Sequence, residues 1–334
     1  MARIAHPYLM FLGNAADQLA AKTAAGIVHW RRDWCLGQLR LAGCRADLGL
    51  PDMSIADAVA AGCRTVIVGV ANRGGVISEA WAETLVAALD AGMDVASGLH
   101  HRLADLPAVA GAAAANGRAL FDVRHPTRVF SVGTGEKRPG RRLLTVGTDC
   151  SVGKMYTSLA IEAELKARGV PADFRATGQT GIFIAGDGVS VDAVVADFIS
   201  GATEWLTPAN DDGHWDLVEG QGSLLHPSYA GVTLGLVHGA QPDALVLCHE
   251  PTRDHLRGLP HQPMPTLQAA IDAHVEAARL TNPAVRCIGV SVNTSGLTDD
   301  GVRRDLLARA ADETGLPAVD PVIDGVAAIV DRLP

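Results

Sequence analysis

The chain has 334 residues, enough for two domains that each bury a core, and its 48% hydrophobic and 19% charged content with 36 glycines suits a folded α/β protein, not a disordered or fibrous one. A net charge of −9 without any lysine- or arginine-rich run argues against a nucleic-acid backbone as partner, because such binding needs clustered positive charge. No apolar run reaches the roughly 18–20 residues that span a bilayer. The six cysteines form no CxxC pair and the amino terminus has no signal core, so a cytoplasmic protein without membrane insertion is expected.

In chain order, "LGNAADQLAAKTAAGI" (12–27) has one early glycine followed by alanines where a dinucleotide-binding turn would read GxGxxG, so no nicotinamide cofactor is indicated. "TVIVGVA" (65–71) and "DVASGLH" (94–100) read as strands on either side of a helix over 78–92. His100 and His101 follow the second of these without a third ligand at metal spacing, and no metal site is expected. Lys22, Asn72 and Arg73 lie near predicted strand-to-helix turns. Some four strands are expected here, in a Rossmann-like domain.

The charged segment "HPTRVFSVGTGEKRPGRR" (125–142), with two prolines and three glycines, marks a boundary, and the domains are placed at 1–135 and 136–334. Beyond it, strands are predicted at 142–148, 215–220, 244–250 and 286–293, and helices at 153–169, 266–280 and 298–315. Continuous apolar runs alternating with amphipathic helices predict a doubly wound parallel sheet.

The stretch "GTDCSVGKM" (147–155) follows the first of these strands and opens a helix. Strand, glycine loop, lysine and helix, in that order, form a phosphate cradle of backbone N–H groups backed by the helix dipole, and Lys154 adds a point charge. Phosphate-binding loops usually place Ser or Thr after the lysine to hold magnesium, whereas this one has Met155, whose thioether is a poor ligand for a hard cation. The loop residues Gly147, Thr148, Asp149, Cys150, Ser151, Val152, Gly153, Lys154 and Met155 are therefore expected to bind a phosphorylated ligand, with magnesium-dependent γ-phosphate chemistry in doubt.

Both this loop and "VEGQG" (218–222) resemble dethiobiotin synthetase and its relatives, which implies that Glu219 faces the phosphate loop across the strand tips. "GVANRGGVISEAW", "RATGQTGIFIAGDGVSVDAVVADFISGATEWL", "LCHEPTR" and "SVNTSGL" extend a resemblance over nearly the whole chain to a bacterial family catalogued as of unknown function. That family has a Rossmann-like N-terminal domain and a P-loop C-terminal domain, and includes a D-glutamate N-acetyltransferase. The resemblance implies acetyl-CoA as cosubstrate and an acidic amino acid as acceptor. Coenzyme A offers a pyrophosphate and a 3′-phosphate to the loop and no γ-phosphate to transfer, so Met155 is tolerable.

Acetyl transfer needs a base and cations for the acceptor carboxylates. Asp187, Glu219 and His226 are the candidate bases, in no order, and Arg175, Gln179 and Arg253 the candidate substrate ligands; Ser223, Tyr229, His249 and Glu250 stand in the same polar loops. A covalent route through Cys150 stays open. The competing reading is an ATP-dependent ligase or kinase of the dethiobiotin synthetase type, with Asp149 and Glu219 left to hold magnesium. A small-molecule amino acid substrate and a homo-oligomer are expected.

Overall fold

The computed structural model describes residues 3–71 and 75–334. Its strands are β1 Tyr8–Gly13, β2 Cys35–Arg40, β3 Thr65–Val68, β4 Asp94–Ser97, β5 Leu120–Asp122, β6 Arg141–Gly147, β7 Ala172–Arg175, β8 Trp215–Val218, β9 Ala244–His249, β10 Arg286–Val292 and β11 Ala318–Val319. The α-helices are α1 Lys22–Trp30, α2 Ile55–Ala60, α3 Glu79–Asp90, α4 Pro107–Asn116, α5 Lys154–Ala167, α6 Gln179–Ala185, α7 Ile199–Leu206, α8 Ala230–Ala240, α9 Leu267–Arg279, α10 Asp300–Thr314 and α11 Ala327–Val330. Helix starts follow local chemistry: Ser78, Thr266 and Asp299 each accept a backbone N–H from the first turn of α3, α9 and α10.

Two compact units result: Met1–Thr127 with Gly178–Ala193, and Arg128–Thr177 with Val194–Pro334. The first holds a parallel sheet in the order β2-β1-β3-β4-β5, five strands where four were expected from the sequence. Tyr8, Leu9, Met10, Phe11 and Leu12 are all fully buried, as a strand covered on both faces requires. The short α6 packs on α1, so this unit draws in a segment that lies beyond the start of the second unit in sequence, an excursion that the simple 1–135 and 136–334 division does not contain.

The second unit is a parallel six-stranded sheet in the order β11-β10-β9-β6-β8-β7. Leu143, Leu217, Val246 and Ile288 on its strands share one buried cluster with Ile161 and Leu165 of α5 and Ile329 of α11. β6 lies between β8 and β9, where the strand order turns back on itself, and the turn from β6 into α5 therefore opens at the sheet's topological switch point, the place where open α/β sheets take their ligands.

Candidate functional site: the phosphate loop after β6

Gly147 ends β6, Lys154 begins α5, and the loop between them bends through two left-handed residues, Ser151 at φ 55° and Gly153 at φ 99°. Such alternation turns successive N–H groups toward one point and makes an anion-binding concavity at the positive end of α5. Gly153 is suited to its place because a side chain there would be strained. Close approach fixes a second glycine: a Cβ on Gly220, at the tip of β8, would sit 1.7 Å from the Thr145 backbone oxygen and 2.9 Å from Cδ of Lys154.

Lys154 is 6% exposed, and its Nζ donates to the Asp149 backbone oxygen at 2.9 Å. Burial lowers its pKa from the ordinary lysine value. Met155 is half-buried, and the two hydroxyls in the turn that follows it are engaged elsewhere. Thr157 Oγ1 is committed to the Gly153 backbone oxygen and Ser291 Oγ, and Ser158 Oγ to Thr145 Oγ1 and the Val218 backbone oxygen.

The segment after β9 grips this loop. Arg253 Nη1 reaches Asp149 Oδ2 at 2.9 Å and the Cys150 backbone oxygen at 2.8 Å; Nη2 reaches the Ser151 oxygen at 2.9 Å, and Nε holds Glu250 at 2.7 Å. The Arg257 backbone N–H also donates to Asp149 Oδ2, at 2.8 Å, and its guanidinium donates to Ser151 Oγ. Asp149, fully buried, thus spends its carboxylate on three N–H groups, the third being Cys150 N at 2.6 Å.

His226 closes the same clasp. Its Nδ1 accepts from Ser228 N at 3.2 Å, so Nε2 carries the proton that meets the Arg257 backbone oxygen at 3.1 Å. Asp149, Cys150 and His226 bring ligand-type atoms within 4.8 Å of one another, but this donor set does not fit a cation. The carboxylate is already filled by donors, His226 has both nitrogens engaged, and burial pushes the Cys150 thiol up, away from the thiolate a metal or a covalent route would use.

Glu219, 5% exposed at the tip of β8, accepts from Thr177 N at 2.9 Å, and Thr177 Oγ1 donates to its backbone oxygen at 2.6 Å. Its charge is felt by Lys154, so the two strand tips share one electrostatic site. Arg175 is turned elsewhere. Its Nε holds the buried Asp216 at 2.7 Å, a residue paired in register with Asp173, two places before Arg175 itself, so its guanidinium lies back along the sheet and not at the phosphate loop. Gln179 and Asp187 belong to the other unit. The Gln179 amide bridges the Gly98 oxygen and Arg124, in the orientation that satisfies both, and exposed Asp187 accepts from Gly188 N at 2.7 Å. Asn72 and Arg73 lie outside the described residues.

The sequence reading missed Arg257 and Thr177. Arg257 stands four residues after Arg253 in an irregular loop, where no periodicity marks a shared target. His249, at the tip of β9, places Nδ1 3.0 Å from Thr148 Oγ1, and burial lowers its pKa from the ordinary histidine value.

Two all-parallel α/β units, the second with a phosphate loop at its switch point, define a two-domain P-loop protein with a Rossmann-like N-terminal domain. It belongs to the DUF1611 family: the P-loop domain of unknown function of that family matches residues 130–330, and its Rossmann-like N-terminal domain matches residues 39–126. The chain is 55% identical over 327 residues to a protein of Tritonibacter scottomollicae named D-glutamate N-acetyltransferase, covering 98% of each chain. It is 47% identical over 332 residues to a protein of the same name from Pseudoalteromonas sp, covering 99% of each. A crystal structure of a DUF1611 family protein from Anabaena variabilis ATCC 29413 superimposes with a TM-score of 0.82 at 32% identity, over 98% of both chains.

Proposed function

We propose that this chain transfers the acetyl group of acetyl-CoA to the amino nitrogen of D-glutamate. The observation that carries this reading is the loop at 147–155, built to hold phosphate yet lacking a hydroxyl at 155, with Arg253 and Arg257 fixed on it. In nucleoside-triphosphate enzymes magnesium bridges and neutralises the β- and γ-phosphates. Here lysine, arginine and backbone N–H groups supply that neutralisation, which suits a pyrophosphate that is held and not cleaved. The nature of the acceptor and its chirality are supported by the names of the two full-length relatives.

The chemistry requires a neutral amine. Its lone pair attacks the thioester carbonyl, and donors must meet the oxyanion that forms. Residues 147–155 hold the donor in this reading, and Glu219 is the candidate base at the neighbouring strand tip. His226 and Arg253 act by holding the loop, as their filled hydrogen-bonding positions indicate. For the ATP-dependent ligase or kinase alternative, neither the Asp149 carboxylate nor residue 155 is free to take magnesium.

A ligand panel read by thermal unfolding tests the donor. A ligand at 100 times its Kd stabilises by about 2.7 kcal/mol. Acetyl-CoA and CoA are expected to raise the midpoint without divalent cations. A shift with ATP that needs magnesium, and none with CoA, supports the ligase or kinase reading instead.

A further inference from the structure

We propose that the Arg257 guanidinium binds the 3′-phosphate of coenzyme A and so selects acetyl-CoA over nucleotides that lack this group, an inference that rests on the acetyltransferase reading above. The backbone of Arg257 is pinned from both sides. Its N–H donates to the fully buried Asp149 at 2.8 Å, and its oxygen accepts from His226 Nε2 at 3.1 Å. Leu256 before it is buried, and the chain after it turns back through Gly258 at φ 80°, with Leu259 N on the Leu256 oxygen at 2.9 Å and Leu256 N on the Gln262 oxygen at 3.0 Å. An exposed side chain is thus delivered to the phosphate loop by fixed backbone, where its Nη1 donates to Ser151 Oγ.

Arg253 and Arg257 meet the same loop with opposite commitments. Arg253 is spent: its three guanidinium nitrogens are taken by Asp149, Glu250 and the backbone oxygens of Cys150 and Ser151. Arg257 pairs with no carboxylate among the described residues, and there its Nε and Nη2 make no hydrogen bond. A planar fork held at one corner, with its other donors unassigned, matches the oxygens of a phosphate monoester. The tethering also lowers the ordering cost of binding.

The loop therefore offers two separate cations. Lys154, 6% exposed, stands with the N–H groups at the start of α5 and serves the pyrophosphate; Arg257 lies at Ser151, which is exposed. Coenzyme A carries two phosphate centres on one ribose, the pyrophosphate at the 5′ carbon and a monoester at the 3′ carbon with about two negative charges near pH 7. ATP and ADP have no 3′-phosphate and leave the second cation without a partner.

The test measures CoA and 3′-dephospho-CoA binding by calorimetry on the full-length wild type, Arg257→Ala and Arg257→Lys, with unliganded thermal unfolding as the check on folding. Wild type is expected to prefer CoA by about 10–100-fold. Arg257→Ala should raise the CoA Kd by that factor, leave the dephospho-CoA Kd unchanged and so bind the two alike. Arg257→Lys, which keeps the charge without the fork, should fall between. A preference for CoA that survives in Arg257→Ala overturns the inference, as does equal binding of the two ligands by wild type. A loss in Arg257→Ala that is equal for both ligands overturns it too, because the guanidinium then serves the pyrophosphate. A wild type that binds neither ligand removes the acetyltransferase reading, and the inference with it, and is recognised without any variant.

Discussion

Lys154 donates its Nζ proton to the backbone oxygen of Asp149, five residues back in its own loop, at 2.9 Å. The loop therefore holds its own cation, and a phosphate ligand would have to compete for it. Removing this lysine should cost one charge-assisted contact with the ligand, worth about 1.5–3 kcal/mol, or roughly 10–100-fold in affinity. Lys154→Ala is expected to show this increase in the acetyl-CoA Kd by calorimetry, with thermal stability little changed. An unchanged Kd would remove the loop from ligand binding. The sign of the pH dependence follows from burial: the pKa of Lys154 is lowered, so acetyl-CoA affinity should decline on raising the pH before the ordinary lysine range is reached.

The two arginines on the loop should separate stability from affinity. Arg253 is mostly buried against Asp149, which is fully buried, so Arg253→Ala leaves a carboxylate without its cation and is expected to destabilise by about 1–3 kcal/mol in urea unfolding. Arg257 is exposed, and Arg257→Ala keeps the backbone N–H that serves Asp149. Its stability should stay within about 0.5 kcal/mol of wild type while acetyl-CoA binding weakens. Equal effects of the two substitutions on stability would contradict this division.

Chelation should leave activity intact. Thioester aminolysis held by lysine, arginine and N–H groups needs no divalent ion. Full turnover in excess EDTA is the expected outcome; reversible loss restored by magnesium would favour the ligase or kinase reading.

The parts of this molecule that were legible in the sequence are those where pattern and geometry coincide. β3, β4, β6, β8, β9 and β10 announce themselves as short branched apolar runs, and the phosphate loop by its order of strand, glycine, lysine and helix. β1 is just as buried, but "YLMFLG" sits close to the amino terminus without a preceding element to frame it, β5 and β11 have only 3 and 2 residues, and the charged Asp173 and Arg175 break the apolar run of β7. The placement of "GQTGIFIAGDG" in the first unit depends on α6 meeting α1, a long-range packing choice that no local signal records. Site chemistry was harder still. Arg253, His226 and Asp149 were recognisable as polar residues near strand ends, but their joint task, clasping Arg257 and the loop, depends on which of their atoms are already hydrogen-bonded.

His274 gives a stability prediction away from the site. In α9 it is fully buried, with Nδ1 on the Ala270 oxygen at 2.7 Å and Nε2 without a partner among the described residues, and burial lowers its pKa to about 4. The unfolded chain takes up the proton near pH 6.5 and the folded one only near 4, so the stability this ring allows is complete above 6.5 and is lost between those values. The loss should approach roughly 3 kcal/mol. His274→Leu, which cannot titrate, is expected to flatten this part of the urea-midpoint profile. Parallel profiles for the two proteins between pH 7.5 and 4 would show that the ring does not govern acid stability.

The most direct measurement of the central claim is incubation of the purified protein with acetyl-CoA and D-glutamate, in the presence of EDTA, with free thiol followed by absorbance and the product identified by mass spectrometry. The account predicts stoichiometric release of CoA with formation of N-acetyl-D-glutamate, and slower release with L-glutamate. Thiol release no faster than background hydrolysis with every acidic or amide amino acid, together with ATP turnover in the presence of magnesium, would contradict it.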